Sequence, residues 1–519
     1  MMDLLAQHEK AVAAISAAVK ALHTRNETFR VVDSASETEV GASHGGGGGG
    51  SSGSGSGSGR GKGGTAVIDL SKLTNILSID AAARMAVVEP NVKMGDLLSA
   101  TLEHGLRPHV VIEFPETRIG RAFAGSMTES SSFKHGYFGE SVSSIEMVLA
   151  DGRVVNASIF ENADLLKGAA GSMNTLGIVT KLEMTLVPAG KFVKATYNSF
   201  AAAAEMIDAM RTFMEDSEFE FIDGIIYSET QCVVITGEFV DEVPRSFEPQ
   251  KFSGSWDPWF YQQVRARIMR SAPGFNPIDY IPITEYLFRY NRGGFWIGNE
   301  VFKRLGANPS NRFTRRLLNH FSSSRKGFKE PQEGEPAADV IIQDVSLPFS
   351  ASADFITTAA KSLDIWPMWV CPVKGPAPPT FHPHSINQSG SSLLMLNIGI
   401  WGKPKSPGTK AAQGTKSVVQ INRELEKWVA DRNGRKTLCS PAYYTKEQFW
   451  KLYDNTWYEK LREKYGAVGL PTVYERITAE EVSQKPRAAG SWPSRFTVSK
   501  ENNFPHAQEA VVAHQSRRI

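Results

Sequence analysis

The first regular pattern in the chain is a helical stripe close to its N-terminus. Val12, Ile15, Val19 and Leu22 recur at spacings of three and four, with small or polar residues between them. This spacing places the four side chains on one face of a helix. We expect that face to pack on the protein's own core, with peripheral membrane contact as the weaker interpretation.

From residue 65 the pattern changes to short β-branched runs. Residues 66–70 and 85–90 are bounded by turn residues, and residues 177–186 alternate between apolar and polar positions, so all three are predicted strands. Residues 94–104 predict a helix that stops at Gly105.

A β-hairpin is predicted a little further on. The Asp151-Gly152 dipeptide lies between two apolar runs, 146–150 and 153–155, and such a dipeptide is a strong turn signal. Residues 65–190 therefore predict one α+β unit.

The second half of the chain is richer in aromatic residues and predicts a second α+β domain. A loop-rich insertion is expected near residues 245–335, and a disordered tail after residue 478. The predicted helices are 200–214 and 446–465, and the predicted strands are 224–227, 233–237 and the buried run 365–370.

Composition excludes several classes of protein. A net charge of +2 leaves no electrostatic footprint for nucleic acid. The three cysteines (Cys232, Cys371 and Cys439) are too far apart for a CxxC metal site, and their odd number argues against a disulfide scaffold. We therefore expect a protein of a reducing, intracellular compartment without a metal. No apolar run reaches the roughly 18 residues of a membrane span.

A low-complexity tract precedes the first strands. Residues 45–64 are almost entirely glycine and serine, which predicts flexible chain. A tract of this kind matches any glycine-rich motif, so its GxGxxG match carries no weight. A phosphate-binding Walker loop is excluded because Gly63 follows Gly61-Lys62 where a hydroxyl is required.

The chemically informative stretch is residues 120–139. With the preceding Ile119 it has the sequence IGRAFAGSMTESSSFKHGYFG. Its small residues let the backbone approach a bulky ligand, and its serine hydroxyls and N–H groups could bind a pyrophosphate. Lys134 could add positive charge. A surface loop is the alternative interpretation that the residues alone leave open.

Residues 125–136, GSMTESSSFKHG, resemble the G-T-x-x-E-S-S-S-x-K-x-G segment of the delta-24 sterol reductase family. Three flanking strings agree in order and spacing: residues 88–95 with VEPxVxMG, 148–152 with VLADG, and 175–179 with TLGFLV. Further similar strings continue in the family's order, so the resemblance spans roughly residues 65–475.

The resemblance implies an α+β fold: a two-subdomain, PCMH-type (vanillyl-alcohol-oxidase-like) FAD-binding domain over residues 1–190, and an α+β substrate or cap domain over 191–477. It implies FAD as cofactor, NADPH as reductant, and reduction of the side-chain double bond of a sterol or sterol-like lipid. The implied location is the cytoplasm or the endoplasmic reticulum surface, with at most peripheral membrane contact. The implied cofactor-binding residues are Gly125, Ser126, Met127, Thr128, Glu129, Ser130, Ser131, Ser132, Lys134, Gly136, Gly177, Ile178 and Val179.

The chain departs from the family at two places that bear on the flavin. Arg118 and Arg121 stand where the family has threonine and glycine, and Arg121 could clash with the flavin or pair with a phosphate; we expect some loss of affinity. The Gly/Ser tract replaces the family's earlier phosphate-binding loop, which leaves a pre-formed anion site in doubt.

Candidates on the substrate side come from an aromatic and basic span. Tyr286, Arg289, Tyr290, Arg292, Phe295 and Trp296 lie close together, and they suit a flat apolar ligand or a stacked nicotinamide. Tyr290 and Arg292 are the catalytic candidates, Tyr290 or Tyr443 as proton donor and Arg292 as a phosphate contact.

Two alternatives remain open at this point. The same fold with FAD could serve an oxidase or dehydrogenase of another small molecule, because fold does not fix substrate. A degenerate flavin site in a binding protein is the other alternative, motivated by Arg118 and Arg121.

Overall fold

The structure, a computed structural model, describes residues 2–27, 29–32, 59–60, 66–272, 274–298, 340–404 and 417–478. All of these residues belong to one compact unit that spans residues 1–479. Most of the Gly/Ser tract at 45–64 and nearly all of the predicted tail at 478–519 lie outside the described residues.

The predicted N-terminal helix is confirmed as α1 (Met2–Thr24). Val12, Ile15, Val19 and Leu22 are all buried and belong to the main hydrophobic core of the protein, as the periodicity predicted. The apolar face of α1 therefore packs on the protein itself.

Two sheets make up the N-terminal half. The smaller sheet has the order β1-β3-β2, with β1 parallel to β3, and the larger has the order β4-β5-β9-β7-β8, with β6 also paired to β9. The elements after α1 are β1 (Phe29–Val32), β2 (Gly59–Arg60), β3 (Ala66–Asp69), β4 (Ile76–Asp80), β5 (Met85–Val88), α2 (Met94–Leu102), β6 (Leu106–Pro108), α3 (Ile119–Ala124), α4 (Ser132–His135), a 3-10 turn (Phe138–Ser141), β7 (Val142–Val148), β8 (Val154–Ser158), α5 (Ala163–Ala169) and β9 (Ile178–Pro188).

Local signals in this half were accurate. The Asp151-Gly152 turn joins β7 to β8, which pair antiparallel up to Val148 and Val154. Gly105 has a φ of +67° just after α2, the left-handed conformation that ends helices. In β9 buried and half-buried residues alternate, because one face of the strand lies on the core.

The second half is built on one eight-stranded antiparallel sheet of order β13-β10-β12-β11-β15-β16-β14-β17. Strands β11, β15 and β16 are buried almost throughout, because α6, α9 and α10 cover one face of the sheet and the main core covers the other. Its elements are β10 (Phe192–Phe200), α6 (Ala203–Glu215), β11 (Phe221–Ser228), β12 (Gln231–Val240), α7 (Phe260–Arg270), β13 (Ile278–Pro282), α8 (Ile283–Leu287), β14 (Ile341–Pro348), α9 (Phe349–Leu363), β15 (Met368–Val373), β16 (Met395–Gly402), α10 (Val418–Asp431) and β17 (Arg435–Lys436).

Two predictions for this half were wrong in detail. The span 245–335 was expected to be loop-rich, yet its described part contains α7, β13 and α8. The buried strand expected at 365–370 begins and ends three residues later, as β15.

The single helix predicted at 446–465 was also wrong. The chain forms α11 (Lys446–Leu452) and α12 (Asn455–Lys464), followed by a 3-10 turn (Ala467–Gly469) and α13 (Val473–Ile477). The break arises because the Asp454 side chain accepts a hydrogen bond from the Trp457 N–H at 2.8 Å and so starts a new helix. Helix α12 packs back on the N-terminal half, where the Tyr458 hydroxyl donates to Thr175 at 2.7 Å.

Candidate functional site

Both sheets of the N-terminal half contribute residues to one small cleft with a cavity volume of about 20 Å³. Helix α3 and the loop after β5 complete its walls. The lining residues are Val31, Leu70, Pro90, Asn91, Gly120, Arg121, Asn174, Ile178 and Val179.

Gly120 allows the two walls of the cleft to approach each other. Its N–H donates to the Pro90 carbonyl at 2.8 Å, and a Cβ atom at this position would come within 2.7 Å of the Pro90 Cβ. Arg121 follows directly, with an exposed side chain on the cleft wall. Of the predicted cofactor residues, Ile178 and Val179 line this cleft.

The predicted segment 125–136 lies elsewhere, at the junction between the N-terminal half and the eight-stranded sheet. The Ser126 hydroxyl lies 2.8 Å from Nδ1 of His382, and Ser126 itself has a φ of +57°. Arg289 donates to the Ser130 hydroxyl at 3.1 Å, and the Ile222 N–H donates to the Ser130 carbonyl at 2.8 Å. The segment therefore joins the two halves of the protein.

The serine hydroxyls of this segment are directed at protein groups. Ser130 and Ser131 donate to the carboxylate of Glu129, Ser131 also contacts the His109 carbonyl, and the Ser132 hydroxyl accepts from the Glu129 N–H. Glu129 and all three serines are buried. Direct contact between these hydroxyls and a pyrophosphate thus stays a prediction.

The remaining predicted cofactor residues are spread around the segment. Lys134 is paired with Glu220 at 3.0 Å, and Met127 is half-buried. The Thr128 hydroxyl accepts from Asn397 at 3.4 Å. Gly125 and Gly136 flank the segment, and a side chain at Gly177 would overlap Met147.

On the other side of the junction, buried donors converge on Asp223. Its Oδ2 accepts from the Tyr290 hydroxyl at 2.7 Å and from Trp369 Nε1 at 3.0 Å, and it lies 3.1 Å from the Arg289 guanidinium. Burial raises the pKa of Tyr290 well above its ordinary value, and the negative charge of Asp223 adds to that effect.

Aromatic rings surround this carboxylate. Phe295 stacks on Tyr290 with 4.2 Å between ring centroids, and it also contacts Trp369 and Trp401. Arg292, predicted as a phosphate contact, instead donates to backbone carbonyls of residues 252–257. We call Tyr290, Phe295, Trp296, Trp369 and Trp401 the aromatic cluster.

Sequence reasoning missed Glu113, Asp223 and His382. Glu113 is 4% exposed, and one of its carboxylate oxygens has no hydrogen-bond partner among the described residues. Burial, reinforced by the charge of Glu129, raises the pKa of Glu113 well above its usual range. A carboxylate directly after the apolar run 110–112 was the available signal.

Comparison with known proteins agrees with this architecture. Residues 10–158 match a family model described as an FAD binding domain. Proteins named delta(24)-sterol reductase are similar over most of the chain: the one from Homo sapiens is 28% identical over 415 residues, 78% of this chain and 76% of the relative. The one from Pisum sativum is 27% identical over 448 residues, 80% of this chain and 77% of the relative.

A more distant relative matches a shorter stretch. Cytokinin dehydrogenase 4 from Oryza sativa subsp. japonica is 28% identical over 134 residues, 25% of each chain. Together these matches confirm the predicted α+β fold with a PCMH-type FAD-binding domain. Among the described residues, no helix is both long and apolar enough to cross a membrane.

The residues of the cleft fit FAD. The lining supplies a guanidinium from Arg121 and amides from Asn91 and Asn174, and it includes no carboxylate. Positive charge and amide donors are groups that a pyrophosphate requires. The cleft also draws on both sheets, so a phosphate group bound at it would contact both sheets of the N-terminal half.

Proposed function

We propose that this FAD-dependent oxidoreductase, a relative of the delta(24)-sterol reductases, reduces the side-chain double bond of a sterol or sterol-like lipid with NADPH as the electron source. The proposal covers substrate, reaction direction and reductant. Because a sterol resides in lipid bilayers, it includes peripheral contact with the endoplasmic reticulum surface.

The observation that carries this proposal is the extent of the similarity. A match of 415 residues is far longer than the FAD-binding match at 10–158, so it must include much of the second half. In a flavoenzyme the cofactor carries the hydride chemistry, and the protein around it selects the substrate. Similarity in the second half therefore supports a shared substrate class.

The cleft residues would hold the pyrophosphate of FAD, with Arg121 as the charged contact. We place the flavin ring toward the junction formed by segment 125–136 and the aromatic cluster. Bound there, FAD would accept hydride from NADPH and pass it to an alkene carbon. Residues Gly125 to Gly136, with Gly177, would shape the backbone around it.

The protein's own groups at the junction favour an apolar substrate. The rings of the aromatic cluster are buried and contact one another, so they would exclude water and pack against a flat hydrocarbon. Asp223 holds Tyr290 and Trp369 in place through hydrogen bonds. In our proposal, the positions of these rings determine how the alkene is oriented against the flavin.

A specific observation favours one alternative. The cytokinin dehydrogenase similarity spans 134 residues, about a quarter of each chain and close to the length of the FAD-binding match. An oxidase or dehydrogenase of another small molecule would share the FAD-binding half in this way. A degenerate flavin site remains the third outcome, and a preparation that stays colourless after FAD is added would establish it.

Half-reactions under anaerobic conditions test the proposal. We expect NADPH to bleach the bound flavin and a sterol with a 24-double bond to restore its colour. The saturated sterol is the matched control and should leave the flavin bleached. Fast recovery with oxygen, together with no recovery on the unsaturated sterol, would support the oxidase alternative instead.

A further inference from the structure

Glu113 lies at the junction of the two halves, just beyond β6, at the end of the buried run 110–113. Its side chain is 4% exposed, and its Oε1 has no hydrogen-bond partner within the described residues. A buried carboxylate without a partner is costly in its charged form, so such a group is normally held protonated.

The charges that face Glu113 do not neutralise it. They are the carboxylates of Glu129 and Asp223 and the guanidinium of Arg289. Arg289 has other partners: it lies 3.1 Å from Asp223 and donates hydrogen bonds to Ser130 and to the Tyr286 carbonyl. Arg289 thus acts on all three carboxyl groups, Arg107 acts on Glu129 as well, and Oε1 of Glu113 has no hydrogen-bond donor among the described residues.

The other two carboxyl groups each have donors. Glu129 accepts from the hydroxyls of Ser130 and Ser131, and Asp223 accepts from Tyr290 and Trp369. Burial raises the pKa of Glu113 well above the ordinary value, with the Glu129 charge acting in the same direction. These surroundings favour the neutral, protonated form of Glu113.

The chain also brings Glu113 next to the aromatic cluster. Its neighbour Phe114 makes an edge contact with Phe295, with ring centroids 5.9 Å apart. Phe295 in turn stacks on Tyr290. Glu113 is therefore one residue away from a side chain that contacts the aromatic cluster, on which, in our proposed function, the alkene rests.

We propose that Glu113 is the proton donor of the reduction. This inference rests on the proposed function. Bound FAD, once reduced, would supply hydride to one alkene carbon. The carboxyl O–H bond of Glu113 would break, and its proton would form a C–H bond at the other alkene carbon. The carboxylate left behind regains a proton from solvent, so each turnover consumes one NADPH and one proton.

The alternative acids are weaker candidates. The Tyr290 hydroxyl donates to Asp223, and burial raises its pKa. Burial raises the pKa of Tyr443 to about 12. Asp344 is the nearest rival, since burial raises its pKa to about 7 against the opposing hydrogen bond from Trp401. Asp344 lies at another edge of the aromatic cluster and so provides a matched control.

The test separates the two half-reactions in the purified holoprotein. Glu113→Gln keeps the shape of the side chain but removes the acidic proton. We expect normal flavin content and normal bleaching by NADPH, while recovery on the unsaturated sterol slows about 100-fold or more. Asp344→Asn should recover within a few-fold of the parent protein. If Glu113→Gln recovers at the parent rate, or Asp344→Asn alone loses recovery, the assignment is wrong.

Two further readouts distinguish a chemical role from a structural one. Glu113→Asp should restore part of the recovery rate. The parent should lose rate at high pH, and this loss should be absent in Glu113→Gln. If the parent protein reduces no sterol, the proposed function fails on its own. In that event the infrared band of a neutral carboxyl, present in the parent and absent from Glu113→Gln, would still support the charge state; its presence in both would overturn it.

Discussion

The Tyr290 hydroxyl donates a hydrogen bond to Oδ2 of Asp223 at 2.7 Å, with both residues buried. The sequence analysis predicted Tyr290 as a proton donor to the substrate, but its hydroxyl proton is donated to Asp223. Asp223 keeps Trp369 and Arg289 as partners when the tyrosine hydroxyl is removed.

Tyr290→Phe should therefore retain most of the activity. We expect sterol-dependent recovery of the flavin within about ten-fold of the parent, and a loss of roughly 1 kcal/mol in the free energy of unfolding from the missing hydrogen bond. Stopped-flow absorbance and urea denaturation measure the two quantities. A loss of recovery as large as that of Glu113→Gln would return the proton donor to Tyr290.

Arg121 provides a direct test of where the pyrophosphate lies. Removal of a charged hydrogen-bond donor from an anion site costs on the order of 1.5 kcal/mol or more, so Arg121→Gln should raise the Kd for FAD about ten-fold. The effect should shrink as salt is added. Quenching of flavin fluorescence gives the Kd.

Arg153→Gln is the matched control for that experiment, because Arg153 is exposed in the β7–β8 turn and paired with Asp151. It should leave the affinity unchanged. Tighter binding by Arg121→Gln would mean that the arginine obstructs the flavin, as the comparison with the family's glycine suggested.

His8 joins helix α1 to the rest of the FAD-binding half. Its ring nitrogens lie 2.8 Å from Glu89 and 2.9 Å from Glu146, a geometry that a doubly protonated ring satisfies. Burial alone would lower the pKa of His8, but the two carboxylates outweigh it and raise the pKa to about 9. Burial alone would raise the pKa of Glu146, but hydrogen bonds from His8 and Thr180 outweigh it and lower the pKa to about 2.

His8→Gln should lower the free energy of unfolding by about 3 kcal/mol near pH 6, because it leaves the buried carboxylate of Glu89 without its cation. A raised folded-state pKa stabilises fully below the unfolded value of 6.5 and progressively less as the pH rises through about 9. The difference from the parent should therefore diminish at high pH. His23→Gln, on the exposed last turn of α1, is the control, and a pH-independent difference in urea denaturation would contradict the ion pairs.

Phe295 tests the aromatic cluster as the sterol surface. This buried residue has a φ of +60°, a conformation that a large side chain adopts only when its surroundings enforce it. Phe295→Leu should raise the KM for sterol several-fold and leave bleaching by NADPH unchanged. Equal effects on both half-reactions would instead indicate a general disturbance of the flavin.

Local patterns predicted the local structure well. The stripe from Val12 to Leu22 and the Asp151-Gly152 turn both appear as expected, because a helix face and a tight turn are decided by residues a few positions apart. The error at 446–465 came from Asp454, whose polar side chain reads as an exposed helix residue but caps the next helix.

The site could not be predicted to the same depth. Ser126 and His382 are in contact although 256 positions separate them, and the residues around each give no signal of the other. The apolar run 110–112 before Glu113 was a local signal, but that this glutamate is itself buried became visible only in the structure. The hydroxyls of segment 125–136 suggested an anion site, and their bonds to Glu129 became visible only in three dimensions.

The most direct measurement of the central claim is the mass of the product. The FAD-loaded protein is incubated without oxygen with NADPH and a 24-unsaturated sterol. The sterols are then separated, and their molecular masses are measured by mass spectrometry. We predict a product heavier than the substrate by two hydrogens, in an amount equal to the NADPH consumed. An unchanged sterol, with NADPH consumed only when oxygen is admitted, would contradict the account.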